Sequence, residues 1–535
     1  MGSDVADLVS SACSSEPHSY LKNRLRRGWE DEAESRSPAH ALSDSDRSTV
    51  KSLLLPTLVT TSGQVQAHVA TALNTVVRRD FPSKWPDLMD NVGRLVKSNV
   101  PNEVYGGIRA LLEIVRAFRW SDEASLMEPI VEATFPTILA TGNQLLASPE
   151  VDSPEVGSII YVIVKVYKVS INKDLTQHHQ ANESIVPWGK FLLQVSGRNI
   201  DSSKLPSDSE SRETAPWYKA KKWSCFTLNK LFSRYGNPSQ LPSNLTSYKP
   251  FADRFVVMFA PEILSTYLRM TEGAISGQSW LSKKQTQFLL RYYEECIKPK
   301  STWKLLKPHV NQLVQSFVFP RLCWQEHEEE MWELDPIEFV RMTMDPIDSN
   351  SAVESSASSF LNALVSKRTK AAFSPQLDFV TTVVQQYPAT RSPAEKAGAL
   401  AMCRAMDLTM IHSPKVFESL EGFFAQYVVP ELASPHRFLR LRACQLVSTF
   451  ASKMVWKNPK VSIDNTDSRR KVNGSLTDRC LVRPPSVRIL RPPSPASCSV
   501  LQTLNCLSAL KPPVQQRIWS SMTKFTPLWR LTLLG

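Results

Sequence analysis

Apolar residues recur every three or four positions along most of the chain, a spacing that predicts helices rather than strands. Val65, Val69, Ala72, Leu73 and Val76 form one such stripe, and Leu88, Val92, Leu95 and Val96 form the next. Between them the stretch VVRRDFPSKWPDL (76–88) packs two prolines and two large aromatics into a corner. Pro82 disfavours a helical conformation at Phe81, and Pro86 suits the first turn of the following helix. Phe81 and Trp85 are then placed to wedge between the helices as a structural plug, with a partner-binding Trp85 as the alternative.

The same periodicity predicts a short helix over 20–29, long helices over 127–146 and 156–171, and a helix from about Pro216 to Tyr235. On the last, Trp217, Ala220, Ser224, Leu228, Leu231 and Tyr235 share one face, with Gly236 and Pro238 ending it. Three helices carry an apolar-Pro-x-apolar signature at Pro136, Pro320 and Pro430, where proline is expected to bend them. The segment SLEGFFAQYVVPELASPHRFLRLRACQLVSTFA reads as helix, short turn and second helix, the plan of a HEAT repeat. No regular period emerges, so the expectation is an all-α chain, an α-solenoid of irregular HEAT repeats built from antiparallel helix pairs. The expected organisation is a disordered leader over 1–19, an N-terminal region over 20–98, a helical solenoid over 99–456 and a disordered tail over 457–535.

Composition narrows the function. Only 17 of 535 residues are glycine, roughly half the usual share, and neither of the glycine-rich phosphate-binding motifs occurs. Nine scattered cysteines include no C-x-x-C pair and read as reduced thiols. There is no signal-peptide pattern and no apolar run long enough to span a bilayer, so no membrane insertion is expected. The net charge of +12 is misleading, because residues 457–535 hold 13 Lys and Arg against 3 Asp and Glu. The remaining 50 basic and 48 acidic residues nearly balance, which argues against direct nucleic-acid binding by the body. The tail itself is Pro/Ser-rich and basic, with binding to acidic partners as a functional alternative to plain disorder.

Two charged clusters stand out. Glu326, Glu328, Glu329, Glu330, Glu333 and Asp335 crowd into EHEEEMWELD, readable as a solvated face, as an acidic docking patch for basic partners, or, far more weakly, as a metal site. No metal-ligand spacing accompanies it, and no metal or cofactor is expected. Lys219, Lys221 and Lys222 crowd the start of a helix, where the helix dipole disfavours them; a solvated basic face is the plain reading. His178-His179 reads as a loop pair, and no nucleophile-and-base arrangement can be argued from spacing. The chain is therefore expected not to be an enzyme.

PWYKAKKWSCFTLNKLFSRYGNP (216–238), TWKLLKPHVNQLVQSFVFPRLCWQEHEEEMWELDPIEFVRMTMD (302–345) and RLRAC (440–444) resemble, in order, the importin-β superfamily, and among its members the importin-7/importin-8 subgroup most. VVRRDFPSKWPDL is similar to that subgroup's early repeats, and the resemblance runs from about Tyr20 to Trp456. It implies a monomeric, non-catalytic nuclear import receptor that shuttles between cytoplasm and nucleus through the nuclear pore. Its implied partners are Ran-GTP, phenylalanine-glycine nucleoporins and cargo proteins, basic ones by family expectation. Ran contacts carried over by the resemblance are Lys22, Asn23 and Lys84, within a partial Ran-binding region over 20–98. The family's sequences begin earlier and continue well past Trp456, so the chain is expected to be truncated. A HEAT-repeat scaffold without transport, or an inactive importin fragment, are the alternative readings.

Overall fold

The computed structural model describes residues 23, 25–29, 42–120, 124–200, 206–344, 353–451 and 453. These residues form helices and short connections, with no strand among them. The chain divides into two compact units, Met1–Tyr292 and Tyr293–Gly535. The expected leader (1–19) and tail (457–535) lie outside the described residues.

In the first unit a helical fragment over 25–28 precedes α1 (Asp44–Thr60), α2 (Gly63–Asp80), α3 (Leu88–Val96), α4 (Pro101–Phe118), α5 (Ala124–Ala147) and α6 (Pro154–Ser170). These continue into α7 (Asn182–Gly197), α8 (Pro216–Lys230), α9 (Lys249–Met258), α10 (Ala260–Ile275) and α11 (Lys283–Cys296), within which the division falls. Each odd-numbered helix up to α7 packs on the even one that follows it. The even helices α2, α4, α6 and α8 then pack on one another in succession, and α3, α5, α7 and α10 do the same. This is the two-row stack of helix pairs that the periodicity predicts.

The tandem Gly106-Gly107 of α4 lets helices close in on both sides. A Cβ on Gly106 would lie 2.6 Å from Val59 Cγ2 in α1, and one on Gly107 2.8 Å from Leu95 Cβ in α3. All six positions of the predicted face, Trp217 to Tyr235, are buried, the last two in a π turn, Leu231–Gly236, that continues α8. Start signals work as expected: Ser153 caps α6, accepting from Val156 N, and proline opens α4, α6 and α8.

The second unit begins with α12, a helical rod over residues 300–322, followed by α13 (Glu326–Leu334), α14 (Pro336–Met344), α15 (Val353–Lys367) and α16 (Thr369–Gln386). It closes with α17 (Pro393–Ala405), α18 (Asp407–His412), α19 (residues 414–433) and α20 (Arg437–Ala451). α15, α17 and α20 pack in succession, with α12, α16 and α19 against them. The α13–α14 pair interrupts the connection between α12 and α15.

The three prolines are accommodated in two ways. Pro136 sits within α5, which remains α-helical throughout and also contains Pro129. Pro320 and Pro430 each follow a π turn, Val314–Val318 in α12 and Phe424–Val428 in α19. A wider turn relieves the crowding between the proline ring and the carbonyl one turn back.

An unanticipated feature links neighbouring helices within each unit. Asn74 of α2 donates to Glu113 O of α4 (2.8 Å), Asn229 of α8 to Phe288 O of α11 (2.6 Å), and Asn362 of α15 to Ala405 O of α17 (3.0 Å). A carbonyl has a second lone pair, so each helix accepts this bond without surrendering its own ladder.

Candidate protein-interaction surfaces

The corner after α2 is built around Asp80, which the sequence reading passed over. Asp80 is 4% exposed. One carboxylate oxygen accepts from the Trp29 indole N–H (2.9 Å), and the other pairs with Lys51 Nζ at 2.5 Å. Lys51 also donates to the Lys84 carbonyl (2.8 Å), so one buried carboxylate ties together the first helical fragment, α1 and the corner. Trp85 is buried as a plug, and Phe81 stacks obliquely on Phe118 with ring centroids 6.0 Å apart. Pro86 lies one residue ahead of the cap Asp87 rather than in the first turn of α3. Of the expected Ran contacts, Asn23 and Lys84 are exposed, and Lys22 lies outside the described residues. Replacing Asp80 with Ala strands the indole and the ammonium together, and a loss of about 2 kcal/mol is expected, read as faster amide exchange in 25–29 and α1.

On α8 the expectation of a solvated basic face fails at Lys221. This residue is 4% exposed, its ammonium donating to the Arg198 carbonyl at 2.6 Å. Burial drops its pKa to about 8. Arg198 in turn pairs with Asp152 (2.6 Å) and lies over the Trp217 ring, so this lysine locks α8 to the chain following α7. Lys219 and Lys222 are only half-buried.

The acidic run forms α13, and its carboxylates divide by role. Arg437 of α20 holds both Glu329 and Glu333. Glu329 also accepts from the Trp324 indole at 2.7 Å. Glu328 caps its own helix through Gln325 N (2.8 Å) and faces Arg442 of α20 at 4.0 Å. Arg442 is buried and makes a closer pair with Glu354 of α15, at 2.7 Å. Asp335 caps α14, accepting from Ile337 N and Glu338 N at 3.0 Å each. Glu326 and Glu330 point to solvent. Three members of the run therefore clamp α13 to α20, and two remain for an outside partner.

Burial, then repulsion from Glu354, raises the Glu328 pKa from 4.5 to about 7, with Arg442 only partly opposing. The unfolded chain releases this proton near pH 4.5 and the folded one near 7, so stability falls as pH rises across that window and the full cost applies above it. Glu328→Gln should keep the acceptor for Gln325 N, stabilise the second unit at pH 8 by about 2 kcal/mol and flatten its profile between those pH values. Urea denaturation across pH checks this.

The His178-His179 pair is not a loop. His179 lies in a one-turn helix, Gln177–Gln180, and is fully buried. Its ring nitrogens meet Ser170 Oγ (2.9 Å) and Thr176 Oγ1 (2.7 Å), while burial and then His178 hold its pKa at about 3. A cleft of about 370 Å³ between Leu193, Gln194, Arg198 and Arg269 gathers two guanidinium groups and no carboxylate or histidine. No group of three or more His, Cys, Asp or Glu that could hold a metal occurs among the described residues. No described helix is long and apolar enough to cross a membrane.

Comparison with known proteins places these surfaces in context. Residues 307–463 match the Cse1 family model, a span that takes in α13 and α20 together. The chain is 30% identical over 468 residues to the yeast (Saccharomyces cerevisiae) protein called nonsense-mediated mRNA decay protein 5, covering 83% of this chain and 44% of that protein. It is 28% identical to the importin beta-like SAD2 homolog of Arabidopsis thaliana (81% of this chain, 42% of the relative). Against human importin-8 the identity is 23%, covering 81% and 41%. The chain thus spans less than half the length of these curated relatives. Its fold is similar to that of the exportin Cse1 in its cargo-free, cytoplasmic state, with a TM-score of 0.63 at 16% identity over 84% of this chain and 49% of that one. Importin beta gives 0.53 at 13% identity over 96% and 52%.

Proposed function

Because this chain belongs to the importin-β superfamily, we propose that it serves as a nuclear import receptor, carrying protein cargo through the nuclear pore and shuttling between cytoplasm and nucleus. The observation that carries this reading is the extent of the likeness. More than four-fifths of the chain aligns with importin-type relatives, and the described helices stack in the paired rows that such receptors use.

In this reading the chain performs no chemistry; GTP belongs to Ran. Ran-GTP engages the N-terminal region over 20–98, with Lys22, Asn23 and Lys84 as the proposed contacts. The exposed position of Asn23 and Lys84 suits that role. Basic cargo meets the outward carboxylates of α13, Glu326 and Glu330, rather than the whole acidic run. Phenylalanine-glycine nucleoporins bind between helices. Ran-GTP and cargo disfavour one another reciprocally, so Ran-GTP in the nucleus releases what was loaded in the cytoplasm.

The test is an import assay in permeabilised cells with the fluorescently labelled chain, Ran and an energy source. The chain should collect at the nuclear rim and enter nuclei, and excess phenylalanine-glycine peptide should suppress both. Exclusion equal to that of an inert protein of similar mass would overturn the proposal.

A further inference from the structure

Three helices that pack side by side in the first unit carry a row of cations on one shared face. Arg109 and Arg116 of α4, Lys165 and Lys168 of α6, and Lys219 and Lys222 of α8 are all half-buried. The lysines lie against aromatic rings: Lys165 Nζ donates to the Tyr161 hydroxyl at 2.8 Å, and Lys168 Nζ sits 4.3 Å from the centroid of the Trp223 ring and 5.2 Å from that of Phe226. Lys222 covers the same Trp223 from 5.3 Å. Two carboxylates act on these cations: Glu113, which pairs with Arg116, and Glu213, which lies near enough to Lys222 to favour its charge. None of these four lysines forms an ion pair with a described carboxylate. Mutual repulsion follows. Burial and then Arg116 and Arg109 push Lys165 down to about 8, and burial and then Lys165 and Arg116 depress Lys168.

Six cations gathered against two carboxylates on a partly dehydrated face raise the free energy of the empty protein, and an anion that fills the face lowers that cost. We propose that the α4–α6–α8 face docks an extended, Asp/Glu-rich segment of a partner protein, its carboxylates meeting Arg109, Lys165, Lys168, Lys219 and Lys222 in turn. A polynucleotide fits the face less well. The rings of Trp223 and Tyr161 are already covered by ammonium groups, so they offer no open platform for bases. The 50 basic and 48 acidic residues before residue 457 also supply none of the broad positive excess that a phosphate backbone exploits. This inference goes beyond the transport reading and does not depend on it, since a scaffold of the same build would present the same face.

The experiment is fluorescence anisotropy on the full chain at low salt with two labelled probes, a twelve-residue glutamate-rich peptide and a twelve-nucleotide oligothymidine. The chain should bind the peptide, and the charge reversal K165E/K168E/K219E should weaken binding about tenfold or more, whereas K304E/K307E/K415E at exposed positions of the second unit should change it less than about twofold. The neutral variant K165M/K168M/K219M keeps the apolar stems and should also lose the peptide, while its first unit exchanges amide hydrogens more slowly than in the unmodified chain. A structural role alone would speed that exchange. Equal weakening by the two charge reversals, unchanged binding by the neutral variant, or tighter binding of the oligothymidine than of the peptide through the same lysines would overturn the proposal.

Discussion

Arg442→Ala should destabilise the second unit by about 3–5 kcal/mol, the range expected when one partner of a buried ion cluster is removed. The guanidinium is 6% exposed and joins three helices, reaching Glu354 of α15 at 2.7 Å, Glu328 of α13 at 4.0 Å and Gln445 within α20 at 3.3 Å. Burial opposes its charge, and Glu354 and then Glu328 outweigh that penalty. Without it, two carboxylates face each other in a partly dry site. Hydrogen exchange should show α13, α15 and α20 opening together. Because Glu328 is already reluctant to ionise, adding Glu328→Gln to the Arg442→Ala chain should recover part of the loss, making the pair non-additive. Strict additivity would mean that the two groups do not communicate.

Trp188→Ala should cost the first unit a similar amount, about 3–5 kcal/mol. Trp188 is 1% exposed and lies at the junction of α5, α6 and α7. Its ring centroid is 4.5 Å from that of Tyr167, 5.6 Å from Phe135 and 5.7 Å from Phe191. His179 completes the cluster edge-on to both Phe135 and Tyr167. Truncation leaves a cavity that the surrounding rings cannot close, because each is held by other neighbours. Trp188→Phe should lose less than half as much, since it retains most of the contact with Tyr167. Denaturant unfolding monitored by exchange in α5–α7 distinguishes the two variants.

What could be read from the sequence was whatever a single helix records about itself. The buried stripe from Trp217 to Tyr235 follows from spacing alone, because helical periodicity puts its six positions on one side of the chain. The corner at Phe81–Trp85 follows from proline stereochemistry, and Asp80 beside it went unnoticed because its partners, Trp29 and Lys51, lie in other segments. The same reason explains α13. EHEEEMWELD looks like a solvated face until Arg437, 108 residues after Glu329, is placed against it. The signal available was the pairing of a dense acidic run with RFLRLRAC, both within segments that carry the family likeness. Lys221 gave no sign of burial, since its acceptor is a backbone carbonyl, which leaves no mark in side-chain chemistry. The cationic face of α4, α6 and α8 is hidden by a balanced charge count, because separation of charge in space does not change its sum. The asparagine bonds between neighbouring helices had a faint signature, a poor helix former in the middle of an amphipathic helix.

The central claim, that this stack of helix pairs is a nucleotide-state-dependent protein receptor, is tested most directly by titrating purified chain calorimetrically with Ran loaded with GTP and, separately, with GDP. Saturable binding of the GTP form, at least about tenfold tighter than the GDP form, is the predicted result. Equal affinity for the two forms, or no heat with either, would contradict it.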